Sequence, residues 1–487
     1  MDILAVYPQE PELAVFEKMP PLGMIWIGTT LQRAGYDLMF IDQQVDDRDP
    51  GRVAEETRPR LALVGGTTHS RFASFAVARS IKQASTGTIV VYGGPHASFT
   101  AEDTLGHVSS IDVVVHGEGE ETCLDLASWA KQSGARIEEL ARVQGISYRD
   151  NGAIVHNDPR PVIQDLDDLG TPDRGLVPLD RYRMQMDYLG IPGTSVMTAR
   201  GCPIGCTFCS ASAMFGKTYR SRSPKLVVDE IEGLVSEHGV RGIKIFDSTF
   251  TLNRKHALGF CNELVRRGLK IPWECEIRVG SVDKRLLAIM RDAGCYYVDV
   301  GIESGSQRVL DECVRKAISL DDAELLLRWS QELGLLTKVF FTVGHPGETV
   351  EEAQMTNRFI WKNRRTIRLA AYHAGLRIYP GTYMERYAQE NDLLPAGFRW
   401  SAPYQNLANR RLLRSVDNVP ILLQPGLQLE DLRRLRIRFI ACRLVSPGYL
   451  LEKARNILMQ NRLFAYVMII AHGFRIGGRK RWAGRRA

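Results

Sequence analysis

The stretch Thr198-Ala-Arg-Gly-Cys-Pro-Ile-Gly-Cys-Thr-Phe-Cys-Ser210 contains three cysteines, Cys202, Cys206 and Cys209, in the spacing Cys-x3-Cys-x2-Cys. It directly follows a run of strand-like residues, and its two glycines permit the tight turns that bring three thiolates towards one metal centre. A cluster of four irons normally takes four protein thiolates, so three of them leave one iron open to a small molecule. The stretch therefore predicts a cluster-binding loop at the end of a strand.

Two other uses of cysteine compete with this interpretation. A Cys-x2-Cys pair is half of many zinc sites, but structural zinc usually takes a second pair at similar spacing. None of the other six cysteines provides that pair: Cys123, Cys261, Cys275, Cys295, Cys313 and Cys442. A disulfide framework is not expected in so long a chain with an odd number of cysteines. An iron–sulfur cluster is therefore favoured, with zinc as the alternative.

The composition is that of a large enzyme. The chain has 487 residues, of which 44% are hydrophobic and 24% charged, enough for two or three domains with their own cores. Its first residues, Met-Asp-Ile-Leu-Ala-Val-Tyr-Pro, predict a strand rather than a signal peptide. The longest apolar run near the C-terminus, Leu463 to Ala471, is too short to cross a membrane. Nine cysteines without a secretion signal predict a cytoplasmic location, and the net charge of +7 does not indicate nucleic-acid binding.

Short apolar strands alternate with helical patterns over the first 130 residues. The predicted strands are Ile3–Tyr7, Leu38–Ile41, Leu61–Val64, Ile89–Tyr92 and Val113–Val115, and the predicted helices are Gly23–Ala34, Phe72–Gln83 and Glu120–Lys131. Continuously apolar strands separated by helices predict a doubly wound, Rossmann-like parallel sheet that is covered on both faces. Such sheets bind ligands beyond the carboxyl ends of their strands.

Small and turn-forming residues follow three of these strands. They are Gly65-Gly66-Thr67-Thr68-His69, Gly93-Gly94-Pro95-His96 and His116-Gly117-Glu118-Gly119-Glu120. Glycine lets a backbone approach a bulky ligand closely. Tight turns between strand and helix explain the same residues without a ligand, so this pattern alone leaves both interpretations open.

The remaining chain divides into three parts. A hairpin at Asp150-Asn151-Gly152 and an acidic, turn-rich segment predict a linker. After the cysteines, repeated strand–helix units predict a partial (β/α)6 barrel with its chemistry at the carboxyl ends of the strands. Its strands are Thr194–Thr198, Gly242–Phe246, Trp273–Ile277, Tyr297–Gly301, Thr337–Val343 and Ala371–Ile378. We therefore expect domains at residues 1–140, 141–190 (linker), 191–385 (barrel) and 386–487 (helical cap).

The C-terminal part reads as helical, with helices at Leu429–Leu444, Leu450–Gln460 and Arg462–Arg475. The last residues, from Arg475 to Ala487, include six Arg or Lys residues and no acid. A helical cap with a solvated tail is the favoured interpretation. Attachment of the basic tail to an anionic membrane surface is the second, and RNA binding has the least support.

The three-cysteine loop, with the aromatic Phe208 before its last cysteine, resembles the cluster loop of radical S-adenosylmethionine (radical SAM) enzymes. The phrases Val91-Tyr-Gly-Gly-Pro-His-Ala97 and His116-Gly-Glu-Gly-Glu-Glu121 resemble the cobalamin-binding domain that precedes many radical SAM domains. Residues 1–385 are therefore similar to the cobalamin-dependent radical SAM family, which includes methyltransferases and anaerobic protoporphyrin-ester cyclases. The resemblance implies a [4Fe-4S] cluster, SAM and cobalamin as cofactors.

For the cluster, the resemblance implies Cys202, Cys206 and Cys209 as ligands. For cobalamin it implies the three glycine-bearing loops, with Gly65, Thr67, Thr68, His69, Gly93, Gly94, Pro95, Gly117, Glu118 and Gly119 as binding residues. The motif Asp-x-His-x-x-Gly, by which other cobalamin proteins supply a histidine to cobalt, is absent from the sequence. The lower face of cobalt is then unligated or approached by the first loop, where His69 is a candidate.

For SAM, the resemblance implies residues at the ends of the barrel strands. Asp247 and Ser248 are expected near the amino group, and Glu303 near the ribose. Glu276 and Arg278 are expected to form an ion pair near the carboxylate or the substrate, although an ordinary structural pair explains them equally well. The complete set of expected SAM-binding residues is Phe208, Asp247, Ser248, Glu276, Arg278, Glu303, Ser304, Thr342 and Gly344.

The resemblance implies reductive cleavage of SAM and methylation of an unactivated carbon of an organic substrate. The alternatives are a cyclase-like redox or ring-forming reaction, or a radical enzyme whose N-terminal domain is a scaffold without cobalamin. A non-enzymatic metal-binding module would leave the barrel unexplained. The expected partners are a small molecule (a lipid, a tetrapyrrole or a natural-product scaffold), a one-electron donor such as flavodoxin or ferredoxin, and a membrane surface for the C-terminus.

Overall fold

The computed structural model describes residues 1–9, 19–132, 136–182, 184–404 and 418–444. Within them, the strands form two large sheets of mainly parallel strands and one short two-stranded pair. The first sheet has seven strands in the order β2-β1-β3-β4-β5-β6-β7. These strands are Ile3–Tyr7, Leu38–Asp42, Leu61–Val64, Ile89–Tyr92, Val113–Val115, Ile146–Asp150 and Ala153–His156. Strands β1 to β5 are parallel to one another.

Five helices accompany this sheet. They are α1 to α5, at Leu22–Arg33, Pro50–Thr57, Arg71–Ala84, Ala101–His107 and Glu120–Lys131. Alternate residues of β1 enter two separate cores, Ile3 and Ala5 one of them and Leu4 and Val6 the other. The sheet is thus covered on both faces, as predicted. Helix α2 was not predicted, although Asp49 caps its amino end by accepting from Arg52 N.

The predicted hairpin extends the first sheet. Strand β6 pairs antiparallel with β5, and β7 pairs antiparallel with β6. The turn between them has positive φ at Asn151 and Gly152, 46° and 85°, as a two-residue hairpin turn requires. The first sheet therefore continues to His156, beyond the boundary expected at residue 140.

The second sheet is the predicted partial barrel. Its six strands are parallel and lie in the order β15-β14-β13-β12-β11-β8. In chain order, β8 to β15 are Thr194–Val196, Ala199–Arg200, Arg220–Ser221, Ile243–Ile245, Trp273–Ile277, Cys295–Glu303, Leu336–Val343 and Leu369–Ala374. The short strands β9 and β10 pair with each other on either side of the cysteine loop.

Eight further α-helices follow in the described part of the chain. Helices α6 to α13 are Ala211–Phe215, Pro224–His238, Arg254–Arg266, Lys284–Asp292, Leu320–Glu332, Val350–Lys362, Tyr383–Glu390 and Leu429–Leu444. Helix α13 packs against the barrel, with Phe439 stacked on Tyr372 at 4.6 Å between ring centroids. The predicted helices Leu450–Gln460 and Arg462–Arg475 and the basic tail lie outside the described residues. Among the helices that the structure describes, none is both long and apolar enough to cross a membrane.

Candidate active site between the two sheets

The cysteine loop is held in place by its backbone. Gly201 has φ +88°, and a Cβ there would lie 2.0 Å from the carbonyl oxygen of Thr218, so only glycine fits. Thr207, within the loop, donates from Oγ1 to the carbonyl oxygen of Cys313 at 2.7 Å and from N to that of Val314 at 3.1 Å. The loop is therefore fixed on both sides of Cys206.

The three thiols form a donor set that fits a cluster. All are free cysteines. Burial raises the pKa of Cys206 to about 11 and also raises that of Cys209, and the other thiols of the loop raise both further. Bound irons would supply the positive charge that keeps such thiolates ionised. In the described parts of the chain, no three His, Cys, Asp or Glu side chains converge on one metal-ion position; a cluster has a separate iron for each thiolate.

Asp247 supports the strand that leads into this loop. Its Oδ1 accepts from Thr198 N at 2.7 Å and Ala199 N at 3.0 Å, and its Oδ2 accepts from Thr198 Oγ1 at 2.5 Å. Thr198 Oγ1 also lies 2.8 Å from His256 Nε2. Burial raises the pKa of Asp247 to about 6. Oδ1 thus holds the backbone of the strand and Oδ2 the side chain of Thr198, while the neighbouring Ser248 is exposed.

Glu303 is part of an ion pair that the sequence analysis missed. Its Oε1 lies 2.7 Å from Lys316 Nζ, and its Oε2 accepts from Thr342 Oγ1 at 2.9 Å. Burial alone would raise the pKa of Glu303, but the Lys316 ammonium and the hydrogen bonds outweigh it and lower that pKa. The backbone of Glu303 has φ +72°, a strained value for a non-glycine residue of the kind found at functional sites.

Gly301 makes room for this pair. A Cβ at Gly301 would lie 2.3 Å from Glu303 Oε1 and 2.4 Å from Lys316 Nζ. The only local sign of Lys316 is the turn around it, in which Arg315 and Ala317 both have positive φ. Neither arginine nor alanine is a residue type that favours positive φ, so this turn and its lysine could not be predicted from the sequence.

The expected ion pair between Glu276 and Arg278 is wrong. Arg278 donates instead to three backbone carbonyls, those of Val279 at 3.1 Å, Lys316 at 2.7 Å and Ala317 at 2.6 Å. The turn at residues 315–317 supplies two of these acceptors, the carbonyls of Lys316 and Ala317. Glu276 is solvent-exposed, yet the protein around its carboxyl raises its pKa to about 7, and the nearby charge of Asp299 adds to the rise.

The other expected SAM-binding residues fall into two groups. Thr342 and Phe208 line a common cavity. Gly344, at φ +103°, directs its N–H to Glu348 Oε2 at 2.7 Å. Ser304 is buried and turns its Oγ towards Thr356 Oγ1 of α11, 3.4 Å away, which places its hydroxyl in the packing between strand and helix.

Two of the three glycine-bearing loops of the first sheet pack directly on each other. A Cβ at Gly94 would lie 2.5 Å from the carbonyl oxygen of Gly66. His96 Nδ1 lies 3.3 Å from Thr68 Oγ1, and Thr67 Oγ1 accepts from His69 N at 3.2 Å. Gly94 is therefore required for contact between the two loops, whereas the sequence analysis expected it to make room for a bulky ligand. Of the remaining expected residues, Pro95 is exposed, Gly65 packs against Met24, and at Gly93 the nearest atom to a Cβ is 3.8 Å away.

Glu118 joins the first sheet to the strands that flank the cysteine loop. It accepts from Arg200 Nη1 of β9 at 3.0 Å and from Arg220 Nη1 of β10 at 2.9 Å, and both arginines are buried. Arg200 Nη2 also pairs with Glu120 at 2.6 Å. The carboxylate of Glu118 is thus committed to an ion network between the sheets. Of its two glycine neighbours, Gly119 packs on Ile27, and at Gly117 the closest atom to a Cβ is 3.9 Å away.

A cavity of about 180 Å³ lies between the cysteine loop and the carboxyl ends of β14 and β15. Its lining residues are Phe208, Thr342, His373, Gly375, Leu376, Arg377 and Tyr379. Tyr379 Oη lies 3.0 Å from Nε2 of His69, in the first glycine-bearing loop. Burial lowers the pKa of His69 to about 4, with the charges of Arg377 and Arg71 adding to the effect, so this imidazole is neutral at physiological pH.

Two family models match the chain, that of the radical SAM superfamily at residues 196–360 and that of the B12 binding domain at residues 13–127. The uncharacterized methyltransferase PH0819 of Pyrococcus horikoshii is 35% identical over 77% of this chain and 80% of its own length. The anaerobic magnesium-protoporphyrin IX monomethyl ester cyclase of Cereibacter sphaeroides is 34% identical over 70% of this chain, but the match spans only 56% of the cyclase. Hopanoid C-3 methylase of Methylococcus capsulatus is 27% identical, over 67% of this chain and 61% of the methylase.

The fold is also that of a solved structure. The radical SAM methyltransferase TsrM of Kitasatospora setae matches with a TM-score of 0.73 at 20% identity, over 95% of this chain and 99% of TsrM. A partial barrel with a three-thiol loop, joined to a doubly wound sheet, defines a radical SAM enzyme with a cobalamin-binding domain. This chain belongs to the cobalamin-dependent radical SAM family.

The predicted family, fold class and enzyme class are therefore confirmed. The cofactors of the chain are a [4Fe-4S] cluster, SAM and cobalamin. The methyltransferases among its relatives also confirm the preference for methyl transfer over cyclisation. The domain boundaries and the binding roles of individual residues stay predictions.

Proposed function

We propose that this enzyme transfers a methyl group to an unactivated carbon of a small organic substrate in the cavity between its two sheets. When bound, the cluster supplies the electron that cleaves SAM into methionine and a 5′-deoxyadenosyl radical, and cobalamin supplies the methyl group. The observation that carries the proposal is that one cavity borders both halves of this chemistry. Phe208 of the cysteine loop lines it, and so does Tyr379, which holds His69 of the cobalamin domain.

The residues of the chain mainly position the reactants. Cys202, Cys206 and Cys209 hold the cluster, and Asp247 fixes the strand from which their loop starts. Glu303, kept ionised by Lys316, offers an acceptor to the ribose or amino group of SAM at the end of β13. The hydrogen bond between Tyr379 and His69 keeps the first glycine-bearing loop against the barrel, which holds the two cofactor sites in a fixed position relative to each other.

The finer partners are also part of this proposal. Reduction requires a one-electron donor such as flavodoxin or ferredoxin. On α13, Ile437, Ile440 and Leu444 are exposed at helical spacing, beside Arg433, Arg434 and Arg438 in the sequence. An apolar stripe flanked by basic residues supports a peripheral contact with an anionic membrane. Cosedimentation with phosphatidylglycerol vesicles, compared between the wild type and Ile437→Ser, tests this contact.

The experiment that tests methyl transfer uses the reconstituted holoenzyme, a reductant and SAM that carries a CD3 group. In an extract of the source cells we expect a product heavier by one CD3 group, formed together with 5′-deoxyadenosine and S-adenosylhomocysteine. S-adenosylhomocysteine is expected because the methyl group that cobalamin would supply comes from a second SAM. Formation of 5′-deoxyadenosine alone, with substrate turnover and cobalamin present, would favour the cyclase-like reaction and overturn the proposal.

A further inference from the structure

We infer that the substrate carries an anionic group, a carboxylate or a phosphate, and that Arg377 binds this group in the cavity. The inference rests on the proposed function, because it assumes that the cavity holds the methyl acceptor. The inference concerns the chemical class of methyl acceptor that the site binds.

Within the described part of the chain, the side chain of Arg377 differs from those of the other arginines near the site in having no hydrogen-bond or ion-pair partner. Among the described residues, its guanidinium makes no hydrogen bond and no ion pair, and its Nε is buried. By contrast, Arg174, Arg200, Arg220 and Arg222 each hold a buried carboxylate. A buried N–H without an acceptor is costly. A ligand that supplies oxygen atoms would remove that cost.

The backbone aims Arg377 at the cavity. The residue follows β15, and its backbone pairs with that of Ile421 in an isolated antiparallel bridge. This bridge fixes the direction in which the side chain of Arg377 leaves the backbone. Two residues later, Tyr379 lines the same cavity and contacts His69. Arg377 is thus placed on the wall between the barrel and the cobalamin domain, the region that a methyl acceptor must occupy.

The electrostatics of this wall favour an anion. After burial, the charge of Arg377 is the next cause that lowers the pKa of both His69 and His373. Lys338 also acts on His373 as a positive charge. Against these positive charges, the carboxylate of Glu303 raises the pKa of His373, and this carboxylate is already paired with Lys316.

The shape of the site suggests how such a substrate lies. A guanidinium presents N–H groups in a planar fork that matches a carboxylate or a phosphate. The same cavity also has apolar lining residues, Phe208 and Leu376. A substrate with its anionic group on Arg377 would therefore rest its carbon skeleton against Phe208, next to Cys209.

SAM also carries a carboxylate, so the test has to show whether Arg377 binds the anionic group of the substrate or the carboxylate of SAM. The holoenzyme is incubated with CD3-labelled SAM and with two fractions of the cell extract, one retained on an anion exchanger at pH 7 and one not retained. We expect the deuterated product from the retained fraction. Arg377→Met should lower kcat/KM for this fraction at least tenfold, mainly through KM, and Arg377→Lys should lower it less. Arg386→Met, an exposed arginine on α12, is the matched control.

Each other outcome is decisive. Deuterium only in the fraction that is not retained would overturn the anionic substrate and leave methyl transfer standing. If Arg377→Met also slows the formation of 5′-deoxyadenosine without extract, Arg377 serves the carboxylate of SAM and the inference is wrong. Deuterium in neither fraction would overturn methyl transfer itself, and the inference with it.

Discussion

Lys316 Nζ lies 2.7 Å from Glu303 Oε1, with the two side chains only 13% and 8% exposed. The ammonium acts electrostatically on Cys206 and Cys209. The pair therefore places one positive and one negative charge, both nearly buried, beside the loop that binds the cluster. Reduction adds a negative charge to the cluster. The positive charge of Lys316 must therefore favour reduction, and the negative charge of Glu303 must oppose it.

The first prediction concerns the reduction potential. Lys316→Met removes a positive charge, so the cluster should become harder to reduce and its potential should shift to a more negative value. Glu303→Gln removes a negative charge and should shift the potential in the opposite direction. A redox titration followed by electron paramagnetic resonance measures both variants without turnover.

A matched control for this pair exists in the same barrel. Lys244 is also nearly buried and lies 3.2 Å from Glu274, but the cysteines are not among the groups that affect it. Lys244→Met should leave the potential unchanged. Equal shifts in Lys316→Met and Lys244→Met would mean that loss of stability, rather than local charge, changes the cluster.

The second prediction uses the raised pKa of Asp247. Its pKa is about 6 in the folded protein against 3.8 for an ordinary aspartate, so the folded state binds a proton that the unfolded state has released at pH 5. This group therefore stabilises the fold most below pH 4, and the contribution is lost as the pH rises through 6.

Asp247→Asn isolates that contribution. When the pH is lowered from 7 to 5, the free energy of unfolding of the wild type should rise by about 1 kcal/mol relative to that of the variant. Urea denaturation at both pH values measures the difference. A difference that stays constant over this range would mean that the carboxyl has an ordinary pKa.

The structure also shows how far sequence reasoning reaches. Cys202, Cys206 and Cys209 and the strands could be predicted because spacing and apolar runs are local features. The partners of Glu118 could not, since Arg200 lies 82 residues further along the chain and its sequence context suggests only the start of the cysteine loop. Glu276 and Arg278 lie two residues apart at the end of β12, which suggests an ion pair from sequence alone. Two of the carbonyls that accept from Arg278 belong instead to a turn almost 40 residues away.

The third prediction concerns Gly94 and Gly117, which the sequence analysis both assigns to the cobalamin site. Gly117→Val meets no close atom, the nearest being Met214 O at 3.9 Å, although its φ of +67° adds strain. We expect less bound cobalamin and an unchanged iron count if this loop borders the corrin. Gly94→Val collides with the backbone of Gly66 and should lower both the cobalamin content and the melting temperature. Full retention of cobalt by both variants would place the corrin elsewhere.

The fourth prediction concerns the cysteine loop itself. Replacing Cys202, Cys206 or Cys209 by Ala should each abolish the cluster, since every thiolate holds its own iron. Cys261→Ala removes a buried thiol of the barrel core and should lower stability by about 1 kcal/mol for the lost packing while leaving about four irons per chain.

The glycines of the same loop provide the last prediction. Gly201→Ala would place a methyl group 2.0 Å from Thr218 O, whereas a Cβ at Gly205 meets no atom within 4 Å. Both glycines have positive φ, +88° and +71°, so both substitutions carry a backbone strain of about 1–2 kcal/mol. Only Gly201→Ala should also displace the loop and lower the iron content, because Thr218 O belongs to fixed backbone. Iron analysis and the charge-transfer absorption of the two reconstituted variants measure this. Equal iron content in both would show that the loop tolerates displacement at Gly201 and that strand geometry does not determine cluster binding.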